Sequence, residues 1–361
     1  MLRRLQFIIL ITLTLGAFPE RVEASSAMGS PDSLSWLRRT IRGFSKIDTT
    51  YIEPQHYEFS AMLQMTHAYD VYQLKSSSGQ TITFAPSPTV KFGPYFGWRW
   101  VFAGYTFDLK NVSIGRKAPK QEIDLSFYAS QVGVDLFYRR TGSDYKIRNV
   151  HLSPDTNEDI LEDREFDGLS VGITGFNLYY IFNHQRFSYP AAFAQSTRQK
   201  RSVGSWMAGL GYTRNSLEFD YQKLQHMIAA YSTTPAAQLD SGLMFNSVKY
   251  YDYCLSGGYA YNWVFMKNWL LGASLSIGLG YKHTIGDVQS ERRFRLNNFS
   301  FDGIARLGIV YNDNTWYAGA SAIFHGYTYR KSRFSSNNAF GSLNIYVGYN
   351  FLLKKKYRNK Q

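Results

Sequence analysis

The chain has 361 residues, 44% hydrophobic and 17% aromatic, enough for one large domain or two ordinary ones. A mean hydropathy of −0.30 is out of keeping with a bundle of membrane helices. The net charge of +13 would suit a nucleic-acid partner, but the N-terminus reads as an export signal and turns the interpretation away from one. The single cysteine, Cys254, excludes an intramolecular disulfide and lies too far from the start for a lipidated leader.

Residues 1–24 read as a signal peptide. Arg3 and Arg4 precede an apolar run from Leu5 to Ala17, and Val22-Glu23-Ala24 offers the cleavage site. Residues 25–56 form a leader in which Leu34, Leu37, Ile41 and Phe44 fall at helical spacing behind Asp32 or Ser33 as cap. This predicts a short periplasmic helix or linker, tucked into a lumen as a plug or left as a tether. From residue 57 to 353 the period changes to two.

The clearest strand runs from Trp269 to Tyr281. Trp269, Leu271, Ala273, Leu275, Ile277, Leu279 and Tyr281 alternate with Gly272, Ser274, Ser276, Gly278 and Gly280. Alternate side chains of a strand point to opposite faces, so one face is oily and the other small and wettable. About 13 tilted residues climb roughly 25–30 Å, the thickness of a bilayer core, with an aromatic ring at each interface. The same alternation recurs at 255–263, 316–325 and 342–351. A soluble sandwich also has an apolar strand face. Glycine and serine inside, however, suit a hydrated lumen better than a packed core.

The predicted fold is therefore all-β: a transmembrane antiparallel β-barrel of about twelve strands, with short periplasmic turns and longer extracellular loops. The strands are expected near 57–74, 79–92, 97–110, 120–129, 132–140, 167–183, 202–221, 249–265, 269–283, 300–311, 315–328 and 340–352. A phase slip between Ala129 and Val132 reads as a turn at Ser130-Gln131, and a second slip near Gly175 reads as a bulge. The connection 184–201 is long for a periplasmic turn. Phe351 gives the last strand an aromatic ending, followed by a basic tail over 354–361. Such a chain is expected in a bacterial outer membrane, inserted by the barrel-assembly machinery.

Three segments resemble a family of Gram-negative outer-membrane barrels, domain of unknown function 4421. They are Gly97–Leu109 (GWRWVFAGYTFDL), Glu122–Arg148 (EIDLSFYASQVGVDLFYRRTGSDYKIR) and Gly175–Trp206 (GFNLYYIFNHQRFSYPAAFAQSTRQKRSVGSW). The resemblance implies the fold and the location. It implies no activity, ligand or catalytic residue.

On strand parity, Asp108, Asp124, Asp135, Arg139, Lys282, Arg306 and His325 line the lumen. There they either pair to close it or select solutes by sign. Inward aromatics (Trp98, Trp100, Phe102, Tyr128, Phe137, Tyr179, Tyr317 and Tyr346) narrow it further. Basic residues outside the spans (Arg116, Lys117, Arg292, Arg293, Arg295, Arg330, Lys331 and Arg333) are candidates for contact with lipopolysaccharide phosphates. The acidic run from Asp155 to Glu165 lacks the glycine of a calcium loop, and no histidine spacing fits a metal site, so neither metal nor cofactor is expected. Ser321 and His325 share the lumen face and form the one candidate pair for a lipid-modifying acyl hydrolase or transferase. The preferred functions are a narrow, porin-like solute channel or a structural surface barrel, neither enzymatic, with membrane lipid and lipopolysaccharide as partners and no nucleic acid.

Overall fold

The structure is a computed structural model. It describes residues 47–98, 101–104, 107–108, 121–141, 145–152, 161–231, 238–286, 299–330 and 334–358. The expected signal peptide and nearly all of the expected leader lie outside these residues.

In chain order the strands are β1 (Ile52–Pro54), β2 (Tyr57–Ser76), β3 (Thr81–Pro86), β4 (Thr89–Trp98), β5 (Val101–Gly104), β6 (Phe107–Asp108), β7 (Gln121–Tyr128), β8 (Val132–Arg140) and β9 (Tyr145–His151). After them come β10 (Leu169–Ile181), β11 (Thr197–Gln199), β12 (Val203–Phe219), β13 (Ser247–Met266), β14 (Trp269–Gly286), β15 (Phe299–Asn312), β16 (Trp316–Arg330) and β17 (Phe334–Leu353). Among the described residues three α-helices accompany them: α1 (Tyr189–Phe193), α2 (Tyr221–Tyr231) and α3 (Lys355–Arg358).

Twelve strand positions make one curled antiparallel wall, in the order β5-β4-β2-β17-β16-β15-β14-β13-β12-β10-β8-β7, with β6 continuing the β5 position along β4. The first wall strand pairs with the last, from Tyr57 opposite Leu353 to Ser76 opposite Phe334. This ladder satisfies backbone groups that would otherwise form two bare edges. The two ends of the described wall, β5/β6 and β7, are neighbours in the chain, joined by residues outside the description.

Strand parity is realised directly. On β14, Leu271, Leu275, Ile277 and Leu279 face out, while Gly272, Ser274, Gly278 and Gly280 are buried. The turn at 130–131 is present, with the Ala129 N–H donating to the Val132 carbonyl at 2.9 Å. The bulge near Gly175 is absent: β10 runs in unbroken register from Leu169 to Ile181. Leu169, Val171 and Ile173 are apolar because their inward face enters a buried core, and below them the same face lines the lumen with Gly175, Asn177 and Tyr179. The slip marks a change of interior, not of strand.

The expected strand 79–92 is also corrected. It divides at Pro86-Ser87-Pro88, where two prolines cannot donate to a ladder. β4 takes the wall position beside Phe59–Ala68 of β2, while β3 pairs with the outer part of β2 and with β9.

Tight turns at 267–268 and 313–315 lie at the end that holds both barrel termini, together with the long connection between β10 and β12, and the other long connections lie at the opposite end. At that far end, β3, β9 and α2 bring Ile82, Phe84, Ile147, Leu224 and Ile228 against inward residues such as Tyr72, Leu217 and Phe219. Each fully buried large apolar side chain contributes about 1.5–3 kcal/mol, so this region is a core in its own right. Beside it Asp240 accepts from the Gly242 N–H, and that bond with the Ser78 hydroxyl holds its carboxyl down at about 2.

Aromatic rings lie across directly opposed glycines on the inner face. A Cβ at Gly348 would meet the Tyr317 ring at 2.1 Å, and one at Gly133 would meet Tyr179 at 2.3 Å. Gly257, on the lipid face, has nothing within 4 Å. We therefore expect Gly348→Val to destabilise the barrel by about 1–3 kcal/mol through overpacking. Gly257→Val should stay within about 0.5 kcal/mol, as surface changes do. Chemical unfolding in detergent measures both, and equal effects at the two sites would contradict the assignment of faces.

Candidate functional site: a sealed lumen

The long connection between β10 and β12 is not a surface loop. It turns inward and fills the short-turn end of the lumen. Pro190 sits in the first turn of α1, where a missing N–H costs nothing, and Tyr189, Ala191 and Ala192 are fully buried. The wall is small where α1 packs: a Cβ at Gly272 would lie 2.5 Å from the Ala192 Cβ, and one at Gly308 would lie 3.1 Å from the Ala192 carbonyl oxygen. Ser274 meets the Tyr189 hydroxyl at 3.1 Å, and Gln195 donates to the Tyr346 hydroxyl at 2.6 Å. Gly272, Ser274 and Gly308 thus make room for a plug instead of lining a hydrated bore.

A two-stranded sheet of β1 and β11 lies against this plug. Arg198 pairs with Glu53 at 2.6 Å, and Asn314 donates to the same carboxylate at 2.9 Å. Burial holds the nearby His56 imidazole below its ordinary value, although Glu53 lies 3.3 Å away. The described end of the predicted leader is therefore a strand.

Above the plug the predicted lumen charges come together. Arg306 donates to Asp135 Oδ2 at 2.5 Å and to the Tyr189 hydroxyl at 2.8 Å, while Ser126 donates to Asp135 Oδ1 at 2.7 Å. Lys282 donates to Asp252 at 2.7 Å and to Asp302 at 3.3 Å. Arg139 lies 3.3 Å from Asp70 and stacks 4.4 Å from the Phe340 ring centre. His325 is buried against Phe340, with ring centres 4.8 Å apart. Taking these charges from water costs several kcal/mol per ion, so close pairing is what makes them tolerable here.

Between the Arg306 and Lys282 clusters lies a cavity of about 40 Å³, bordered by Asp135, Asn177, Asp302, Arg306 and Tyr327. It suits a few water molecules. Asp302 Oδ2, the Tyr327 hydroxyl and Asn177 Nδ2 lack a close hydrogen-bond partner among the described residues, and such a water would satisfy them.

Asp135, Arg139, Lys282, Arg306 and His325 are thus inward and buried, as parity predicts. Asp108 and Asp124 lie on described strands, but their side chains fall outside the description. Tyr128, Phe137, Tyr179, Tyr317 and Tyr346 also face in. Trp98 does not: it is exposed on the outer face with Phe96, while Gly97 between them is buried. Trp100 and Phe102 fall outside the described side chains. Asp70, Asp252, Asp302 and Tyr189 complete the network and escaped the sequence reading. Asp252 and Asp302 share the parity of Ser256 and Arg306, which is the signal that could have revealed them.

The Ser321–His325 pair is corrected. Four residues of strand separate the two by roughly 13–14 Å, too far for proton transfer, and His325 is clamped among Phe340, Tyr327 and Phe137. Of the basic candidates for phosphate contact, Arg330 is exposed at the outer end of β16. Arg116, Lys117, Arg292, Arg293, Arg295, Lys331 and Arg333 lie outside the described residues. No group of three or more metal-ligating side chains occurs among the described residues.

The outer surface has the opposite character. Trp206, Leu210, Leu255, Leu275, Phe301 and Leu307 are more than half exposed on adjoining strands. A water-soluble protein rarely carries such a continuous apolar face. Wall, belt and polar interior together define a membrane-spanning β-barrel with a filled lumen.

The chain belongs to the family described as Domain of unknown function (DUF4421), whose model matches residues 46–351. No curated protein matches it. Among solved structures it is similar to the outer membrane protease OmpT of Escherichia coli, with 9% identity, 81% of this chain and 96% of that chain covered, and a TM-score of 0.36. It is also similar to the translocator domain of the autotransporter NalP of Neisseria meningitidis, with 9% identity, 89% and 95% covered, and a TM-score of 0.32. The P. putida toluene transporter TodX gives 9% identity, 82% and 91% covered, and a TM-score of 0.25. No residue role passes from them to this chain.

Removing one partner of the buried Asp135–Arg306 pair leaves the other uncompensated. Arg306→Leu should cost about 3–5 kcal/mol, and adding Asp135→Leu should recover much of it. Equilibrium unfolding of the single and double variants measures this. A double variant no more stable than the single would remove the pairing argument.

Proposed function

We propose that the protein is an exported barrel of the Gram-negative outer membrane that works as a closed structural or surface protein, not as an open solute channel. The observation that carries this reading is the filling of the lumen at successive levels. The plug around α1 blocks the short-turn end, paired charges occupy the middle, and the apolar core under β3, β9 and α2 blocks the far end. A channel selecting by charge needs ionised groups exposed to a passing solute, whereas Arg306 and Lys282 each have about 5% of their side chain or less accessible.

In this reading the short-turn end faces the periplasm and the opposite end faces outward. The assembly machinery would read β17, whose Tyr349 and Phe351 lie beside Trp316 and Phe59. Membrane lipid and lipopolysaccharide are the expected neighbours, and no catalytic step is assigned.

Planar-bilayer recording of the purified protein provides the test. Insertion without stepwise conductance at any voltage is the expected result. A steady open level in the wild-type protein would overturn the closed-barrel reading.

A further inference from the structure

The lipid face is layered row by row across neighbouring strands. Leu136, Phe176, Tyr212, Tyr253 and Tyr281 stand opposite one another on β8, β10, β12, β13 and β14, with Phe299 of β15 opposite Tyr281. This aromatic row ends the apolar belt on the outward side. The next outward row is Tyr138, Thr174, Arg214, Tyr251 and His283, and the one beyond it is Arg140, Gly172, Ser216 and Lys249.

Arg140, Arg214 and Lys249 are exposed, and no carboxylate pairs with any of them among the described residues. Arg214 is exposed, and its guanidinium lies 5.9 Å from the Tyr251 ring centre. The nearest acid on this face, Glu218, stands one row further out on β12. Between the cations the surface is low. Gly172 has no side chain, and a Cβ there would lie 2.5 Å from the Ser216 hydroxyl.

We propose that this patch on β8–β13 binds the phosphate-bearing headgroup of an outer-leaflet lipid. The proposal rests on the reading of the belt as lipid-facing. With strands about 4.8 Å apart, the three cations lie within roughly 8–14 Å of one another. Long side chains from those positions can converge on one headgroup and form charge-assisted hydrogen bonds to its phosphate oxygens. The aromatic row places that headgroup height directly beneath them. Acyl chains would then run down the belt past Tyr253 and Leu255.

Native mass spectrometry of the intact barrel in micelles doped with phosphatidic acid or phosphatidylcholine tests the site. Wild type should retain phosphatidic acid about tenfold better, and R140Q/R214Q/K249Q should lose most of that preference. The variant K267Q/K355Q/K356Q, at the opposite rim, should keep it. Equal retention by the first variant, or equal loss by the second, overturns the site. Displacement of the lipid by inorganic phosphate would overturn the commitment to a lipid headgroup. Flotation of wild type with vesicles is the separate check on the barrel reading, because a barrel that floats without headgroup preference fails only the site.

Discussion

The ladder between β2 and β17 is the constraint on which the rest depends. In hydrocarbon an unpaired backbone N–H or C=O costs several kcal/mol. The first and last wall strands therefore have to meet over their whole length, and they do, from Tyr57 and Leu353 to Ser76 and Phe334. Once that register is set, every strand has one face committed to lipid and one to the interior. A one-residue slip would exchange Leu275 with Ser274 and put a hydroxyl into the bilayer.

The interior then has to be filled, and two materials fill it. At the outer end strands such as β12 and β13 continue past the aromatic row, and their inward faces become apolar and join the core with Leu217, Phe219, Val248 and Tyr250. At the inner end the chain supplies its own plug, for which the wall shrinks to glycine at 272 and 308. Between these apolar masses the charges are sealed from bulk water. Asp135 with Arg306, supported by Ser126 and Tyr189, and Lys282 with Asp252 and Asp302, satisfy one another there. A small cavity remains where the two clusters fail to touch.

Much of this was legible in the sequence, for reasons tied to the period of two. Leu271 to Leu279 against Gly272 to Gly280 announces lipid on one side, and the phase slip at Ser130-Gln131 announces a turn. The inward positions of Asp135, Arg139, Lys282, Arg306 and His325 follow from the same parity. What parity cannot convey is what occupies the space it points into. Glycine and serine suggest water when each strand is taken alone; they are small here because Ala192, Tyr189 and neighbouring wall side chains already fill the volume. The slip at Gly175 misled in the same way, since an apolar inward face beside a core looks like a change of register. Trp98 was misplaced because a new strand was begun at residue 97, whereas Trp98 ends β4 and keeps that strand's phase.

A sealed interior also constrains where function can reside. Changing Arg306 or Lys282 leaves a buried partner charge uncompensated, so the lumen resists specialisation for a solute. The outward rows beyond Tyr212 and Tyr253 carry no such penalty. Arg140, Arg214 and Lys249 sit on strands whose register is held from inside by packed rings such as Tyr179 over Gly133, so their own positions are rigid while their side chains remain in contact with the surroundings. Binding groups mounted on strands lose less to ordering than the same groups on loops. The closed interior and the charged outer rows are therefore parts of one arrangement, in which the filled barrel serves as a stiff support for the surface it presents.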